Sequence, residues 1–417
     1  MNKRLGNIFK GDKVIWMVFF FLCIISIVEV FSASSNLTYK SQNYMSPILY
    51  HSGMIAIGVL VAVVTLNIPC RYFKLLTPFL LIISAFMLVW VLFAGTKTND
   101  ASRWINFLGF TFQPSEIAKG TLVLVTAQIL SAMQREDGAD KQAFRWILWI
   151  AIPAVMLIMT ENLSTAMLLA IVIFLMMILG RVPWSQLGKL LGVVALVGVF
   201  TLLLILIVGE DTSKKDARQT AKTEQVEKKK KSGIGKVFHR FDAWKTRIVK
   251  FGNKQKVSPE KYDLDKDAQV AHANIAIVSS NIIGSGPGQS VERDFLSQAF
   301  SDFIFAIVIE ELGIVGATAV VFLYIVLLFR TARIASRCEN NFPAFLAMGL
   351  ALLLVVQATF NMMVAVGLAP VTGQPLPLIS KGGTSTIINC AYIGVILSVS
   401  RSAKRRKDAE SSLAVAA

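Results

Sequence analysis

The sequence predicts an all-α polytopic membrane protein with about ten transmembrane helices and one large extracytoplasmic loop between helices seven and eight. Hydrophobic residues make up 54% of the 417 residues, and the mean hydropathy is +0.61. Soluble domains contain about 45–50% apolar residues even when glycine is counted. The excess here is concentrated in long uncharged runs, which is the pattern of membrane-spanning helices.

Ten runs are candidate spans within what we treat as a single transmembrane domain, 1–417. The first run has a basic start like a signal peptide, but its 18-residue apolar region at 14–31 is longer than the usual stretch of about 7–15 residues. We therefore interpret it as a retained helix. The runs are 14–34, 47–66, 75–95, 115–132, 146–160, 163–180, 189–209, 303–329, 343–366 and 385–400.

The short connecting segments indicate the orientation. With a cytoplasmic N-terminus, the inner segments hold 18 lysine and arginine residues, whereas the short outer segments hold only Lys40, Lys97, Arg103 and Lys381. Positive charge is enriched in cytoplasmic loops. Both termini are therefore expected in the cytoplasm, with 401–417 as a basic cytoplasmic tail of a multi-pass protein in the cytoplasmic membrane.

The long connection at 210–302 then lies outside. Residues 211–266 contain 17 lysine or arginine and 8 aspartate or glutamate residues, but loops longer than about 60 residues translocate largely regardless of charge. The part at 211–232 is either a solvated linker or a segment attracted to anionic lipid headgroups or phosphates, and no nucleic acid partner is expected. The stretch AQVAHANIAIVSSNIIGSG, 268–286, predicts a helix that is too polar to span and that either packs on the outer surface or dips into the headgroup layer.

Cysteine and histidine offer no obvious chemistry. The four cysteines and three histidines are scattered, with no CxxC pair. Neither a disulfide framework nor a zinc site is indicated.

The first polar cluster opens the eighth run. Residues 303–329 would form about 40 Å of helix, more than the hydrocarbon thickness of about 30 Å. The pattern predicts a partly separate helical piece that begins at Asp302 and ends at a joint at Gly313. Asp302, beside Ser301, is then either a helix N-cap or a functional carboxylate.

Two glutamates, Glu310 and Glu311, lie at membrane depth close to that joint. Carboxylates in such positions need partners or water. We expect them to line a buried polar joint that holds the bundle together.

The second polar cluster, 98–120, precedes and opens the fourth run. Pro114 and Glu116 suit the first turn of a helix, and Glu116 can pair with Lys119 three residues later. Lys119 inside a span requires a buried anionic partner. Arg103 and Trp104 stand outside, where they suit a phosphate and a sugar face, although Trp104 equally suits a membrane-interface anchor.

The third polar cluster, 367–386, is rich in proline and glycine between two apolar runs. Such a backbone cannot face lipid, so it must be buried in protein or line a cavity. Lys381, with Gly382 and Gly383, could present a cation and backbone N–H groups to an anion, or the segment could be only a rigid turn. All three clusters fall on the outer side, so the sequence predicts an outward polar cavity suited to an anionic, lipid-linked substrate.

At these residues the chain resembles the SEDS family of membrane glycosyltransferases, the FtsW/RodA/SpoVE group. The resemblance covers nearly the whole chain and is carried by separated motifs in the same order. They are FSAS at 31–34, RWINFLGFTFQPSEIAK at 103–119, GSGPGQSVERDFLSQAFSDFIFAIVIEELG at 284–313 and APVTGQPLPLISKGGTST at 369–386.

The resemblance implies a ten-helix protein that polymerises lipid II into glycan strands at the outer face of the membrane. The expected partners are a class B penicillin-binding protein that cross-links the strands and other divisome membrane proteins. The stretch GQSVER at 288–293 is more like the division branch (FtsW) than the elongation branch (RodA). An elongation polymerase, a lipid II flippase and a scaffold for division partners are the alternatives.

The resemblance also implies roles for single residues. Asp302 matches the family's catalytic aspartate and would be the general base of an inverting transfer with undecaprenyl pyrophosphate as leaving group. No metal ligand is implied, although Mg²⁺ or Mn²⁺ could assist the leaving pyrophosphate. The residues expected to bind substrate are Arg103, Trp104, Gln113, Ser115, Glu116, Lys119, Ser301 and Lys381.

Three departures from the family pattern are visible. Asn162 stands where the family commonly has an aspartate, which puts an essential acid at that position in doubt. Phe300 replaces a histidine shortly before the catalytic aspartate, and Lys381 replaces an aromatic residue before the paired glycines. These two changes indicate a shifted rim of the cavity, with Lys381 a candidate for phosphate contact.

Overall fold

The computed structural model describes residues 10–33, 46–94, 96–98, 101–107, 110–208, 268–296 and 299–416. In this part of the chain most residues are helical, as the sequence predicts, and eleven α-helices follow one another. They are α1 Lys13–Ala33, α2 Ser46–Asn67, α3 Cys70–Ala94, α4 Pro114–Ala132, α5 Lys141–Glu161, α6 Leu163–Leu179, α7 Trp184–Val208, α8 Ala268–Ser279, α9 Ile304–Ala335, α10 Asn341–Ala365 and α11 Thr384–Ala416.

Each of the ten predicted runs falls on one of these helices, and α8 is the additional one. Among the described residues, seven helices are long and apolar enough to cross a membrane, namely α1, α2, α3, α5, α9, α10 and α11. Two more, α6 and Trp184–Phe200 of α7, are apolar but shorter. The polytopic helical fold is therefore confirmed, whereas the count of ten spans stays a prediction.

Glycines allow the helices at the centre of the bundle to approach closely. α10 packs against α4, α6, α9 and α11. A β-carbon on Gly349 of α10 would lie 2.7 Å from both Met176 on α6 and Val123 on α4. Gly394 of α11 similarly lies against the Ala62 carbonyl of α2, where a β-carbon would be 2.6 Å away. Small residues at such crossings are how helices in membranes gain close van der Waals packing.

Large apolar side chains cover the outer faces of α3 and α7. On α3 these include Leu75, Phe79, Ile82, Phe86 and Phe93, all exposed on the described surface. A soluble protein would bury such a continuous apolar surface. It suits contact with lipid and marks both helices as peripheral to the bundle.

Helices α1 and α9 run antiparallel and are tied at both ends. At one end, Asp12 caps α1 by accepting a hydrogen bond from the Val14 amide at 2.9 Å and pairs with Arg330 of α9 at 2.8 Å. At the other end, the Ser32 hydroxyl of α1 donates to Glu311 of α9. α9 is thereby fixed on both sides of its central break.

That break lies at Gly313, as the sequence predicts. Gly313 has φ 68° and ψ −171° inside α9, a conformation open essentially to glycine alone. The backbone groups freed there are taken up by the preceding loop, since the Ser285 amide donates to the Glu310 carbonyl at 2.9 Å and the Val315 amide donates to the Ile282 carbonyl at 3.2 Å. Non-helical backbone is tolerated within a membrane protein when it is buried in this way.

Glu310 and Glu311 form the buried polar joint that the sequence predicts. The Glu311 carboxylate accepts from the Gly288 amide at 2.9 Å and the Ser290 amide at 3.2 Å. Glu310 accepts from the Val291 amide at 2.9 Å and from the Ser290 hydroxyl. The two carboxylates therefore hold the 288–292 loop on the first segment of α9.

Helix α8 matches the short helix predicted in the long connection. It docks on the same loop through His272, whose ring contacts the Glu292 carboxylate at 2.6 Å and stacks on Phe295 at 5.2 Å between centroids. Residues 210–267, including the charged stretch, lie outside the described residues. α11 continues past the predicted end of the last run at 400, so the tail begins as helix.

A small antiparallel sheet between α3 and α4 was not predicted. Its strands are β1 Thr96–Thr98, β2 Ala101–Phe107 and β3 Phe110–Phe112, in the order β1-β2-β3. A two-stranded hairpin, β4 Gln134–Arg135 with β5 Gly138–Ala139, connects α4 to α5. β1 and β3 have only three residues each, and the seven residues of β2, ASRWINF, do not alternate strictly between polar and apolar, so the segments read as loops.

Candidate active site

Asp302 lies in a turn immediately before α9 and does not cap it. The N-cap residue is Phe303, with φ −109° and ψ 14°, and its carbonyl accepts from the Ala306 amide at 2.9 Å. The N-cap interpretation of Asp302 is therefore wrong, because the chain becomes helical one residue later than that role requires. The Asp302 side chain is partly exposed and accepts a hydrogen bond from the Ser301 hydroxyl at 3.0 Å.

The third polar cluster packs directly on the Asp302 segment. The Lys381 amide donates to the Phe300 carbonyl at 2.9 Å, and the Ser380 hydroxyl donates to the Ser301 carbonyl at 2.6 Å. A β-carbon on Gly373 would lie 3.5 Å from Oδ2 of Asp302. The segment is buried in the bundle through Leu376 and Ile379, as its proline- and glycine-rich composition predicts.

Lys381 supplies a cation beside this aspartate segment. Its ammonium nitrogen lies 5.1 Å from the centroid of the Phe300 ring, a cation–π distance. Burial lowers the pKa of Lys381 from its ordinary value. Among the described residues no carboxylate forms an ion pair with Lys381. Phe300 and Lys381, which contact each other here, are also the two positions near the cavity rim that depart from the family pattern.

The second polar cluster contains a buried ion pair and hydrogen bond. The Lys119 ammonium contacts Glu116 at 2.8 Å and Gln357 of α10 at 2.8 Å, and Lys119 is 0% exposed. The predicted intrahelical pair and the expected anionic partner are both confirmed. Glu116 and Ser115 are also buried, so none of these three side chains is exposed at the surface in this structure, and their predicted contact with substrate stays a prediction.

The second and third clusters are joined to each other. Gln357 donates to the Pro375 carbonyl at 3.0 Å, and the Thr384 hydroxyl donates to the Thr111 carbonyl of β3 at 3.1 Å. Residues of the three polar clusters therefore contact one another in the fold, whereas their place on the outer side and the outward cavity stay predictions. Gln113 precedes α4 as its N-cap residue without a side-chain capping bond. Trp104 lies partly buried on β2, and the side chain of Arg103 is outside the described atoms.

Asn162 has a clear local role. Its Oδ1 accepts a hydrogen bond from the Thr165 amide at 3.2 Å and caps α6. The Thr165 hydroxyl in turn accepts from Gln374 Nε2 at 2.9 Å. An amide at position 162 thus serves as a neutral cap linked to the third cluster.

Sequence reasoning missed the amides inside α10. Gln357 and Asn361 are 1% exposed, and both bond to the third cluster. Their spacing of four residues could have indicated this, because residues four apart lie on one helix face and polar side chains within spans face the bundle interior.

The described residues contain no metal-binding cluster, and a cleft among them lies away from Asp302. Among the described residues, no three His, Cys, Asp or Glu side chains are grouped to hold a metal ion. A cleft of about 870 Å³ lies beside Arg135, Asp140, Arg181 and Trp184. It adjoins the C-terminal end of α4, whereas Glu116 stands at the N-terminal end, so the cleft is remote from Asp302.

Comparison with known proteins points to one group. The sequence profile of the family described as "Cell cycle protein", comprising FtsW, RodA and SpoVE, matches residues 12–405. A probable peptidoglycan glycosyltransferase FtsW of Halomonas elongata is 29% identical over 397 residues, covering 93% of this chain and 90% of that protein. The peptidoglycan glycosyltransferase MrdB of Escherichia coli is 29% identical over 350 residues, covering 83% of this chain and 84% of that protein.

Solved structures share the fold. A structure described as the coordination of polymerization and crosslinking by a peptidoglycan synthase complex aligns with TM-score 0.66 and 24% identity, covering 94% of this chain and 98% of the other. The rod shape determining protein RodA of Thermus thermophilus aligns with TM-score 0.62 and 22% identity, covering 95% of this chain and 98% of the other.

Proposed function

Because the chain belongs to the FtsW, RodA and SpoVE family of cell cycle proteins, we propose that it is a peptidoglycan glycosyltransferase that polymerises lipid II at the outer face of the cytoplasmic membrane. The observation that carries this proposal is the placement of Asp302, a partly exposed carboxylate outside the helix, packed against the segment that bears Lys381. Relatives named peptidoglycan glycosyltransferase support it.

Asp302 is the general base of the proposed reaction. Its carboxylate takes the proton from the 4-hydroxyl of the acceptor N-acetylglucosamine, and that oxygen attacks the anomeric carbon of the donor N-acetylmuramic acid. The bond from this carbon to the pyrophosphate oxygen breaks with inversion, and undecaprenyl pyrophosphate leaves with the bonding electrons. Ser301, which donates to Asp302 at 3.0 Å, orients the carboxylate.

Lys381 is the cation best placed to stabilise the departing pyrophosphate. Lys119 is fully buried and engaged by Glu116 and Gln357, so its ammonium group is less available to a phosphate than that of Lys381. Lys381 is partly exposed and has no ion-pair partner among the described residues. Positive charge placed where negative charge develops stabilises the transition state. Arg103, Trp104 and Gln113 are proposed as further contacts to phosphate and sugar.

The proposed setting is septal synthesis with a class B penicillin-binding protein as the cross-linking partner. The motif at 288–293 and the relatives named FtsW support the division role. The solved peptidoglycan synthase complex of similar fold supports a partner of the transpeptidase kind. Both termini are proposed to be cytoplasmic, with Asp302 facing outward.

The test is glycan polymerisation from lipid II by the purified chain together with its partner, with Mg²⁺, with Mn²⁺ and with chelator. Asp302→Asn should lower the rate by about 100- to 10,000-fold, while Asp294→Asn, an exposed carboxylate on the neighbouring loop, should retain it. Polymer at the wild-type rate from Asp302→Asn would end the assignment of Asp302. If the chain moves lipid II between vesicle leaflets but makes no polymer, the function would be transport of lipid II and not polymerisation.

A further inference from the structure

The Asp302 segment is held by its backbone at three consecutive residues. The carbonyls of Phe300, Ser301 and Asp302 accept, in that order, from the Lys381 amide at 2.9 Å, the Ser380 hydroxyl at 2.6 Å and the Asn361 amide group at 2.9 Å. A turn outside regular secondary structure has few such bonds of its own. These three bonds therefore fix the position of the backbone from which the Asp302 side chain extends.

The Asn361 side chain joins two segments through one nitrogen atom. Its Nδ2 donates to the Asp302 carbonyl at 2.9 Å and to the Gln374 carbonyl at 2.7 Å. Gln374 follows Gly373, whose Cα lies beside the Asp302 carboxylate. One buried amide thus fixes both the base and the backbone that forms the neighbouring wall.

The chemistry of this link requires an asparagine. A primary amide carries two hydrogens on one nitrogen, whereas serine carries one and an ionised carboxylate carries none. Asn361 is 1% exposed, so bulk water does not reach the side chain to replace a lost bond. Aspartate at this position would place an oxygen against two carbonyl oxygens and push the Asp302 segment away.

Ser380 acts on the adjacent carbonyl. Its hydroxyl accepts from the Leu376 amide at 2.7 Å and donates to the Ser301 carbonyl at 2.6 Å. The same side chain therefore closes the turn of the third cluster and secures the residue before Asp302. Asn361 from α10 and Ser380 from the connecting segment hold the base from two independent elements.

We propose that Asn361 and Ser380 are positioning residues that set the Asp302 carboxylate for proton abstraction. The inference rests on the proposed function, because it assigns Asp302 as the base. Neither residue touches substrate in this role. A misplacement of about 1 Å at a reacting group costs on the order of 100-fold in rate, so loss of either link should lower kcat while leaving KM for lipid II nearly unchanged.

The experiment measures kcat and KM for lipid II in the full chain with its partner, for Asn361→Asp, Ser380→Ala and Ser380→Thr. Asn361→Asp and Ser380→Ala are expected to lose about 100-fold in kcat, whereas Ser380→Thr keeps the hydroxyl and should recover most of it. The matched control is Thr359→Ala on the same helix, an exposed residue whose hydroxyl bonds only to the Val355 carbonyl, and it should behave as wild type.

A double variant separates positioning from general stability. Adding Asn361→Asp to Asp302→Asn should cause no further loss of kcat, because the base that Asn361 positions is already absent. Wild-type kcat in both Asn361→Asp and Ser380→Ala, or a loss confined to KM, overturns this inference while the assignment of Asp302 stands. Wild-type activity of Asp302→Asn would instead remove Asp302 as the base, and the absence of polymer from the wild-type chain with its partner would overturn the proposed function. If Asn361→Asp does not fold, the comparison of Ser380→Ala with Ser380→Thr decides the outcome alone.

Discussion

The backbones of Gly284 and Gly313 pack directly against each other. A β-carbon on Gly284 would lie 2.4 Å from the Gly313 amide nitrogen, and one on Gly313 would lie 2.5 Å from the Gly284 amide nitrogen. This contact sets the break in α9 and fixes the loop that Glu310 and Glu311 hold. The direction in which the first segment of α9 leaves Asp302 depends on it.

Gly313→Ala should therefore destabilise the protein. The positive φ costs of order 1–3 kcal/mol for a non-glycine residue, and the contact with Gly284 leaves no room for the added carbon. Thermal unfolding of the detergent-solubilised chain measures the change. Gly192→Ala on α7, where a β-carbon meets nothing within 4 Å, is the matched control and should unfold no earlier than wild type. Equal midpoints for the two variants would contradict the packing argument.

Glu311→Gln should release the 288–292 loop. The change removes the negative charge that accepts from Gly288, Ser290 and Ser32, and weakening buried charge-assisted bonds costs about 1–3 kcal/mol. Hydrogen exchange of the loop amides should accelerate. Asp137→Asn, at an exposed carboxylate, should leave the exchange unchanged. Unaltered protection in Glu311→Gln would show that the loop is held by other contacts.

Lys119→Met should destabilise more than the double variant Glu116→Gln with Lys119→Met. Removing one member of a buried ion pair leaves an uncompensated charge and costs about 3–5 kcal/mol, whereas removing both charges is much milder. Unfolding midpoints of both singles and the double complete the cycle. Additive losses would mean that the pair at 2.8 Å is not energetically coupled.

The activity should fall on the alkaline side as Lys381 loses its proton. A lysine is charged below its pKa, and burial lowers the pKa of Lys381, so the fall should come at a lower pH than for an exposed lysine. Lys381→Arg should move the fall to higher pH, since a guanidinium stays charged. Lys189→Arg on α7 is the control. A pH profile identical in wild type and Lys381→Arg would remove Lys381 from the proposed chemistry.

The orientation can be measured by cysteine labelling in a background without the four native cysteines. A cysteine at exposed Phe295 should react with an impermeant maleimide in intact spheroplasts. A cysteine at exposed Glu136 should react only after the membrane is opened. The reverse pattern would place Asp302 on the cytoplasmic side and exclude synthesis at the outer face.

Much of the fold follows from hydrophobic patterning, because runs such as 343–366 leave no alternative to a buried helix. The joint at Gly313 was also predictable, since 27 residues exceed the membrane thickness and glycine marks the weakest point. The sheet at 96–112 was missed because β1 and β3 have three residues each and β2 lacks a strict alternation of polar and apolar residues. The N-cap interpretation of Asp302 failed because local propensity does not record the bonds that hold residues 300–302 outside the helix.

The sequence by itself determined the membrane class, the helices and the three polar clusters, because these depend on the periodicity and hydrophobicity of neighbouring residues. Only the tertiary structure decided that Lys119 is sealed by Glu116 and Gln357 while Lys381 stays partly exposed. It also decided that Asn361 holds the Asp302 backbone. The physical reason is that such contacts join residues distant in the chain, and the helix packing that brings them within hydrogen-bond distance leaves no local trace in the sequence.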